Sequence, residues 1–356
     1  MDLELSEEQQ LLRETVRGLC ARHAGLDVVR ELENDAVGYP EKFWLQLGEA
    51  GLLDLGDLSM LDAVVMYIEL GRALAPSPHF VSSVTGAGVL RRAGSEIQQG
   101  EWLPRLASGD AIITPAWLEP DGGFGAKGVQ ARVDGEGRVT GTKRHVSFAQ
   151  AADRLLVLAR DPGDEIVYVL VDPKGPGVRL TQQQTVSSDT QFHVDLDGAP
   201  GQPLAAGGWS VWDEVMHDGI ILLAAQAAGG ARQALELTVQ YAKDRQQFDK
   251  PLGAFQAIAH YLSDAIATVD GAETLVYEAA WARDAGRPVT RLAPMAKLFA
   301  CQTFRDVTAM AQQVFGGVGF TVEYDIQLYF RRAKQLQISW WNDRYLEELI
   351  AADVLD

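Results

Sequence analysis

Apolar residues recur at helical spacing from Leu5 to about Gly109. "SEEQQLLRETVRGLC" opens on Ser6, a hydroxyl suited to capping the free N–H groups of a first turn, with Glu and Gln just inside it. "PEKFWLQLGEAGLL" starts at Pro40, where a helix tolerates a missing donor, and passes Gly51 at its expected end. "SMLDAVVMYIELGRALA" predicts a third helix, stopped by Pro76 and Pro78, and "SEIQQGEWLPRLASG" a fourth. From Asp110 to about Gly207 the texture changes. "VQARVDGEGRVTGTKRHVSF", "DRLLVLARD", "EIVYVLVDP" and "TQFHVDLDG" are short and rich in Val, Leu and Thr, and Gly, Pro and Asp break them. That pattern predicts strands in an antiparallel β domain. Helical spacing returns at Trp209 in four long stretches, the last running to the end of the chain. Four long antiparallel helices predict a bundle. The expected fold class is α+β and multidomain: a helical domain over 1–110, a β domain over 111–207 and a four-helix bundle over 208–356.

The chain has 356 residues, 47% of them hydrophobic, enough for more than one core. A net charge of −18 disfavours nonspecific binding to nucleic acid or to an anionic membrane surface. Two cysteines far apart, Cys20 and Cys301, offer neither a disulfide framework nor zinc spacing, which fits a reducing, cytoplasmic setting. "MDLELSEEQQ" lacks the apolar core of a signal peptide, and no apolar run approaches the ~18 residues of a membrane span. The six histidines are scattered, so no metal site is expected.

A literal G-x-G-x-x-G falls at Gly123, Gly125 and Gly128, but it precedes a strand pattern instead of following one. The context required of a dinucleotide fold is absent, and a glycine-rich loop of the β domain is expected. Two other stretches carry more. "DRQQFDKPLGAFQ" groups Arg245, Phe248 and Gln256, and "QQVFGGVGF" places Gln313 ahead of Gly316 and Gly317. A cation for a pyrophosphate, a ring for stacking, and amides with bare backbone for close approach suit a dinucleotide. Glycines near a helix end also serve as plain caps.

Taken together, "LSEEQQLLRETVRGL", "ELGRALAPSP", "WLPRLASGD", "TGTKRHVS", "YAKDRQQFDKPLGAFQA" and "QVFGGVGFTVEYDIQLYFRRAK" resemble the acyl-CoA dehydrogenase flavoproteins in order and spacing, over essentially the whole chain. The resemblance implies a helical N-terminal domain, a β-barrel and a C-terminal four-helix bundle. It also implies FAD, an acyl-CoA thioester substrate, and electron-transfer flavoprotein as electron acceptor. Arg245, Phe248, Gln256, Gln313, Gly316 and Gly317 take the roles that hold the adenosine and pyrophosphate of a neighbouring subunit's flavin, so at least a dimer is implied. Ser147 corresponds to the hydroxyl that hydrogen-bonds flavin N5, and His145 stands where the family has an indole.

The family reaction removes a weakly acidic α-proton, which requires a desolvated carboxylate close to it. The resemblance places that base at one of two positions. Here they are Trp340, six residues beyond Lys334, and Gly219 on the first bundle helix; neither is acidic. Asp218 and Glu214 lie nearby, one residue and about one turn away. "LEPDGGFG" is a further departure: Leu118 removes a flavin-facing hydroxyl. Some actinobacterial relatives are α2β2 assemblies in which one subunit type carries the base, and this chain resembles the other type. Three expectations follow: a subunit completed by a base-carrying partner; a self-sufficient homo-dimer or tetramer using Asp218 or Glu214; or a family member that is non-catalytic or performs other flavin chemistry. Trp340 and Trp341 are expected as core or interface aromatics, as filling where no acyl chain binds, or as shaping a pocket for a partner's site.

Overall fold

The computed structural model describes residues 4–56, 58–187 and 189–355. Local chemistry sets the first helices. Ser6 accepts the backbone N–H of Gln9 while the Gln9 side chain returns to the Ser6 N–H, a reciprocal cap that starts α1 (Glu7–His23). Next come α2 (Leu26–Glu31), α3 (Glu41–Glu49) and α4 (Met60–Arg72), the last capped by Ser59. After Pro78 the chain forms a π-helix, Phe80–Gly86, where the apolar pattern predicts no element, and it runs directly into α5 (Ala87–Ala93). A second reciprocal cap, Ser95 with Gln98, starts α6 (Glu96–Ser108), and Gly109 at φ 85° ends it.

Seven strands follow: β1 (Ile113–Ala116), β2 (Arg132–Val133), β3 (Arg138–Ser147), β4 (Arg154–Arg160), β5 (Ile166–Val171), β6 (Val178–Gln183) and β7 (Gln191–Pro203). β4 pairs with β2, β2 with β3, β3 with β7, β7 with β5, and β5 with β4, so the ladder closes into a barrel. β6 adds to β7. The pairing is not antiparallel throughout, because β1 and β2 each meet β4 in parallel. The G-x-G-x-x-G ends in a short 3₁₀ turn, Ala126–Gly128, ahead of β2, as a loop.

α7 (Trp209–Asp244) leads to a two-residue hairpin between β8 (Gln246–Gln247) and β9 (Lys250–Pro251), then to α8 (Gln256–Asp284) and α9 (Leu292–Phe315). The expected last helix is two, α10 (Ile326–Ile338) and α11 (Asp343–Leu355). The break falls at Trp340 and Trp341, both left-handed, at φ 52° and 74°. No helix among the described residues is long and apolar enough to cross a membrane.

Contacts divide the chain into two compact units. One contains residues up to Val29, Leu58–Ala75 and everything from Ile220. In it α4 meets α7 backbone to backbone: a Cβ on Gly229 would lie 2.0 Å from the Ile68 carbonyl oxygen, and one on Gly71 2.0 Å from that of Gln226. Only glycine permits that approach. The other unit holds the barrel with α3, α5 and α6. There His79, 1% exposed, donates from Nε2 to the Leu52 carbonyl at 2.9 Å. Burial lowers its pKa to about 4 despite that bond. The unfolded chain therefore takes up the proton first as pH falls. The stabilisation is complete above about pH 6.5 and is lost toward pH 4, with a limit of about 3 kcal/mol. Unfolding midpoints should fall over that window, and His79→Gln should flatten the slope. An unchanged slope in the variant would show that other groups set it.

Candidate functional site

In the barrel unit, β3 and β7 lose register between Lys143 and Val146. A bulge of this kind re-aims side chains. His145 sits in it at φ 55°, exposed, its Nδ1–H donating to Gln191 Oε1 at 3.0 Å while the Gln191 amide donates to Asp189 at 2.6 Å. Two residues on, the Ser147 carbonyl takes the Thr114 hydroxyl at 2.6 Å. The Ser147 hydroxyl, half-buried, has no partner among the described residues. Leu118 is half-buried and its carbonyl accepts the Arg144 N–H at 3.0 Å.

The same unit places Glu214, Asp218 and Gly219 on the first turns of α7. Arg92 of α5, which sequence reasoning passed over, reaches Asp218 at 2.9 Å and Glu214 at 3.5 Å. Asp218 is 17% exposed and Glu214 68%. Both acids thus share one guanidinium. Gly219 faces another element: a Cβ there would lie 3.2 Å from the Phe80 ring and 3.7 Å from Val84, both in the π-helix. A carboxylate-bearing side chain at position 219 would have to displace that ring. No local sequence signal marks Phe80 or Arg92, because each acts across more than a hundred residues.

In the other unit, Tyr241 stacks on Phe315 at 4.1 Å and its hydroxyl donates to the Phe315 carbonyl at 3.4 Å. The Arg245 N–H bonds the Tyr241 carbonyl at 2.8 Å, so Arg245 is brought to the same end as the turn that begins at Gly316. Arg245, Gln313, Gly316 and Gly317 are exposed, and a Cβ on either glycine would meet open space. The Arg245 guanidinium has no acidic partner among the described residues. Gln312, one residue before the expected glutamine, is 3% exposed, and neither its amide oxygen nor its nitrogen has a partner among the described residues. Its oxygen lies against Gly319 of that turn. Phe248, 86% exposed, tips the β8–β9 hairpin with Asp249, both at positive φ. That hairpin turn normally selects Asn or Gly. Gln256 is exposed at the start of α8.

The tryptophan pair is settled as packing for one member. Trp341 is fully buried and meets Tyr345 edge-on at 5.4 Å, while Trp340 is half-buried. The carbonyls of Leu336, Ser339 and Trp341 all accept from the fully buried Lys297 Nζ, at 3.1, 3.1 and 2.8 Å. This ammonium caps the end of α10. Lys297→Met should lose on the order of 2 kcal/mol of unfolding free energy, with a changed near-UV signal from the tryptophans, because three carbonyls lose a charged donor. Unchanged stability and spectrum would mean that packing alone holds the loop.

Known proteins agree with this architecture. Residues 206–355 match the model "Acyl-CoA dehydrogenase, C-terminal domain" and residues 6–110 the model "Acyl-CoA dehydrogenase, N-terminal domain". The chain is 32% identical over 331 residues to acyl-CoA dehydrogenase FadE27 of Mycobacterium tuberculosis, covering 87% of each. It is also 32% identical over 336 residues to that organism's acyl-CoA dehydrogenase IpdE2, covering 92% of this chain and 91% of the relative. Among solved structures it is similar to a chain of the ChsE4–ChsE5 complex from Mycobacterium tuberculosis, with a TM-score of 0.90, 30% identity, and coverage of 100% and 99%. It is likewise similar to the Tcur3481–Tcur3483 steroid ACAD, with a TM-score of 0.86, 29% identity, and coverage of 98% and 99%. Fold, domain order and sequence agree, and the chain belongs to the acyl-CoA dehydrogenase family, oxidoreductases that act on CH–CH bonds of acyl-CoA.

Proposed function

We propose that this chain is one subunit of a FAD-dependent acyl-CoA dehydrogenase and that an unlike family member supplies the carboxylate that takes the α-proton. One observation supports the reading: among the described residues, no acid stands at either position that the family resemblance gives the base. Trp340 occupies one, the Phe80 ring covers Gly219 at the other, and Arg92 holds both nearby acids. The similar ChsE4–ChsE5 complex and Tcur3481–Tcur3483 steroid ACAD, each a pairing of two named chains, support an unlike partner.

FAD fits the residues present. Arg245 without an acid, the exposed Gln313–Gly317 segment and the buried, unpartnered Gln312 amide suit a dinucleotide tail. The unpartnered Ser147 hydroxyl suits the flavin ring. When bound, FAD supplies the acceptor for the hydride that leaves the β-carbon. Arg245 would hold pyrophosphate charge and Phe248 offer a stacking face to a neighbouring subunit's flavin, and Ser147 would donate to a ring nitrogen of this subunit's own. An acyl-CoA thioester is the substrate on this reading, steroid-type or fatty, and electron-transfer flavoprotein the acceptor.

The test is to purify the chain alone and together with a base-carrying family member, and to follow anaerobic flavin bleaching by acyl-CoA. Bleaching only by the pair is expected. Full bleaching by the chain alone would overturn the proposal and favour the self-sufficient enzyme.

A further inference from the structure

We propose that His145 is a proton-exchanging residue of the flavin site, oriented by Gln191 and Asp189; this rests on the reading that Ser147 meets the flavin ring and gives the imidazole beside it a role. Ser147 of β3 stands directly opposite Gln191 of β7. Side chains of an opposed antiparallel pair share one face of the sheet, with Cβ atoms about 5 Å apart. Gln191 holds the His145 ring at 3.0 Å, so the imidazole and the Ser147 hydroxyl lie side by side on that face. Bringing the ring there takes the β3 bulge and a φ of 55°. That conformation costs a side chain energy and persists where the surroundings impose it.

Donor chemistry fixes which ring nitrogen is free. The Asp189 carboxylate can only accept, and it takes the Thr185 hydroxyl at 2.9 Å, the Ser187 hydroxyl and the Gln191 amide N–H at 2.6 Å. Gln191, 8% exposed, therefore turns its oxygen to His145. That oxygen also only accepts, so Nδ1 carries the proton. In the neutral ring Nε2 is a bare lone pair at an exposed position, with no partner among the described residues. The charged and titratable groups around it are accounted for. Arg144 precedes it in β3, and Lys143 is paired with Glu119 inside the barrel. Asp189 is reached through Gln191, and His193, two residues along β7, is bonded to Asp195 at 3.2 Å. Gln183, which accepts the His145 backbone N–H at 3.4 Å, is neutral. An indole at this place cannot gain a proton near neutrality, whereas an imidazole can. On the proposed reading, hydride uptake leaves negative charge on the ring. A proton drawn from water onto Nε2 sets a cation beside that charge and stabilises it. The reduced state then binds more protons than the oxidised one, so the flavin potential must fall more steeply as pH rises.

The midpoint potential of the two-chain assembly loaded with FAD, read spectroelectrochemically from roughly pH 5 to 9, tests this. Wild type should fall more steeply with pH than His145→Asn, opening a gap of about 30 mV or more, a tenfold change in the ratio of reduced to oxidised flavin for a two-electron couple. Asn tolerates the φ of 55° and does not titrate. His145→Gln is the second variant, and both should keep the wild-type circular dichroism spectrum. Gln191→Leu, which releases the ring, should remove most of the gap. A nitrogen-15 spectrum of the flavin-free chain should show His145 protonated at Nδ1. Equal slopes with flavin bound, or a His145 proton on Nε2, would overturn the proposal and leave the functional reading standing. A preparation that holds no flavin defeats both, and full bleaching by the chain alone defeats only the partner's part of that reading.

Discussion

Lys143→Met should cost the protein about 3–5 kcal/mol of stability, the range for removing one partner of a buried ion pair. Lys143 is fully buried in the barrel unit, with Nζ 2.6 Å from Glu119 and 2.6 Å from the Leu158 carbonyl. Burial pulls its pKa down to about 8, the Glu119 charge opposing the shift. Without the ammonium, Glu119 becomes a buried carboxylate with no cation, though it still accepts the N–H groups of Gln130 and Ala131 at 2.9 and 3.0 Å. Those two bonds set a limit on rescue. Adding Glu119→Leu removes the uncompensated charge but orphans two N–H groups, at about 1–3 kcal/mol each. Adding Glu119→Gln keeps an acceptor and should recover more. Urea unfolding of the four proteins checks the order. A single Lys143→Met variant within about 1 kcal/mol of wild type would show that water enters the barrel and solvates the pair.

What the sequence made legible was local or periodic. The reciprocal caps at Ser6 and Ser95 act over three residues, and the long helices repeat their apolar positions many times. β6 stayed hidden because "VRLTQQ" is half polar and is held only by β7. β1 hid because "ITPA" is four residues, all buried, and includes a proline. The π-helix "FVSSVTG" has neither the helical nor the strand period. The break at Trp340–Trp341 carries no glycine or proline; the Lys297 ammonium, which lies about forty residues earlier in the chain, makes it. The candidate site divides the same way. Arg245, Gln313, Gly316 and Gly317 are contiguous motifs that the eye finds. The Arg92 contact with Asp218 spans 126 positions, and no pattern along the chain announces it.

That contact decides the second large effect. On the proposed two-chain reading, Asp218→Asn and Glu214→Gln should each leave the rate of desaturation within about twofold of wild type, whereas removing the carboxylate proposed for the partner should cost about 10²–10⁴-fold, the usual worth of a general base. A base for a weakly acidic C–H must be desolvated and must not be committed to a cation. Asp218 is shielded but ion-paired at 2.9 Å, and Glu214 is 68% exposed. Either would have to abandon Arg92 and swing round the helix. One residue on α7 corresponds to about 100° of rotation, so Asp218 does not share the direction of position 219. Position 219 itself looks at the Phe80 ring. Stopped-flow bleaching by acyl-CoA, read at saturating substrate, isolates the proton-removal step from binding. If Asp218→Asn slows that step a hundredfold while the ion pair's loss leaves the unfolding midpoint unchanged, Asp218 is the base, and this chain needs no partner to do the chemistry.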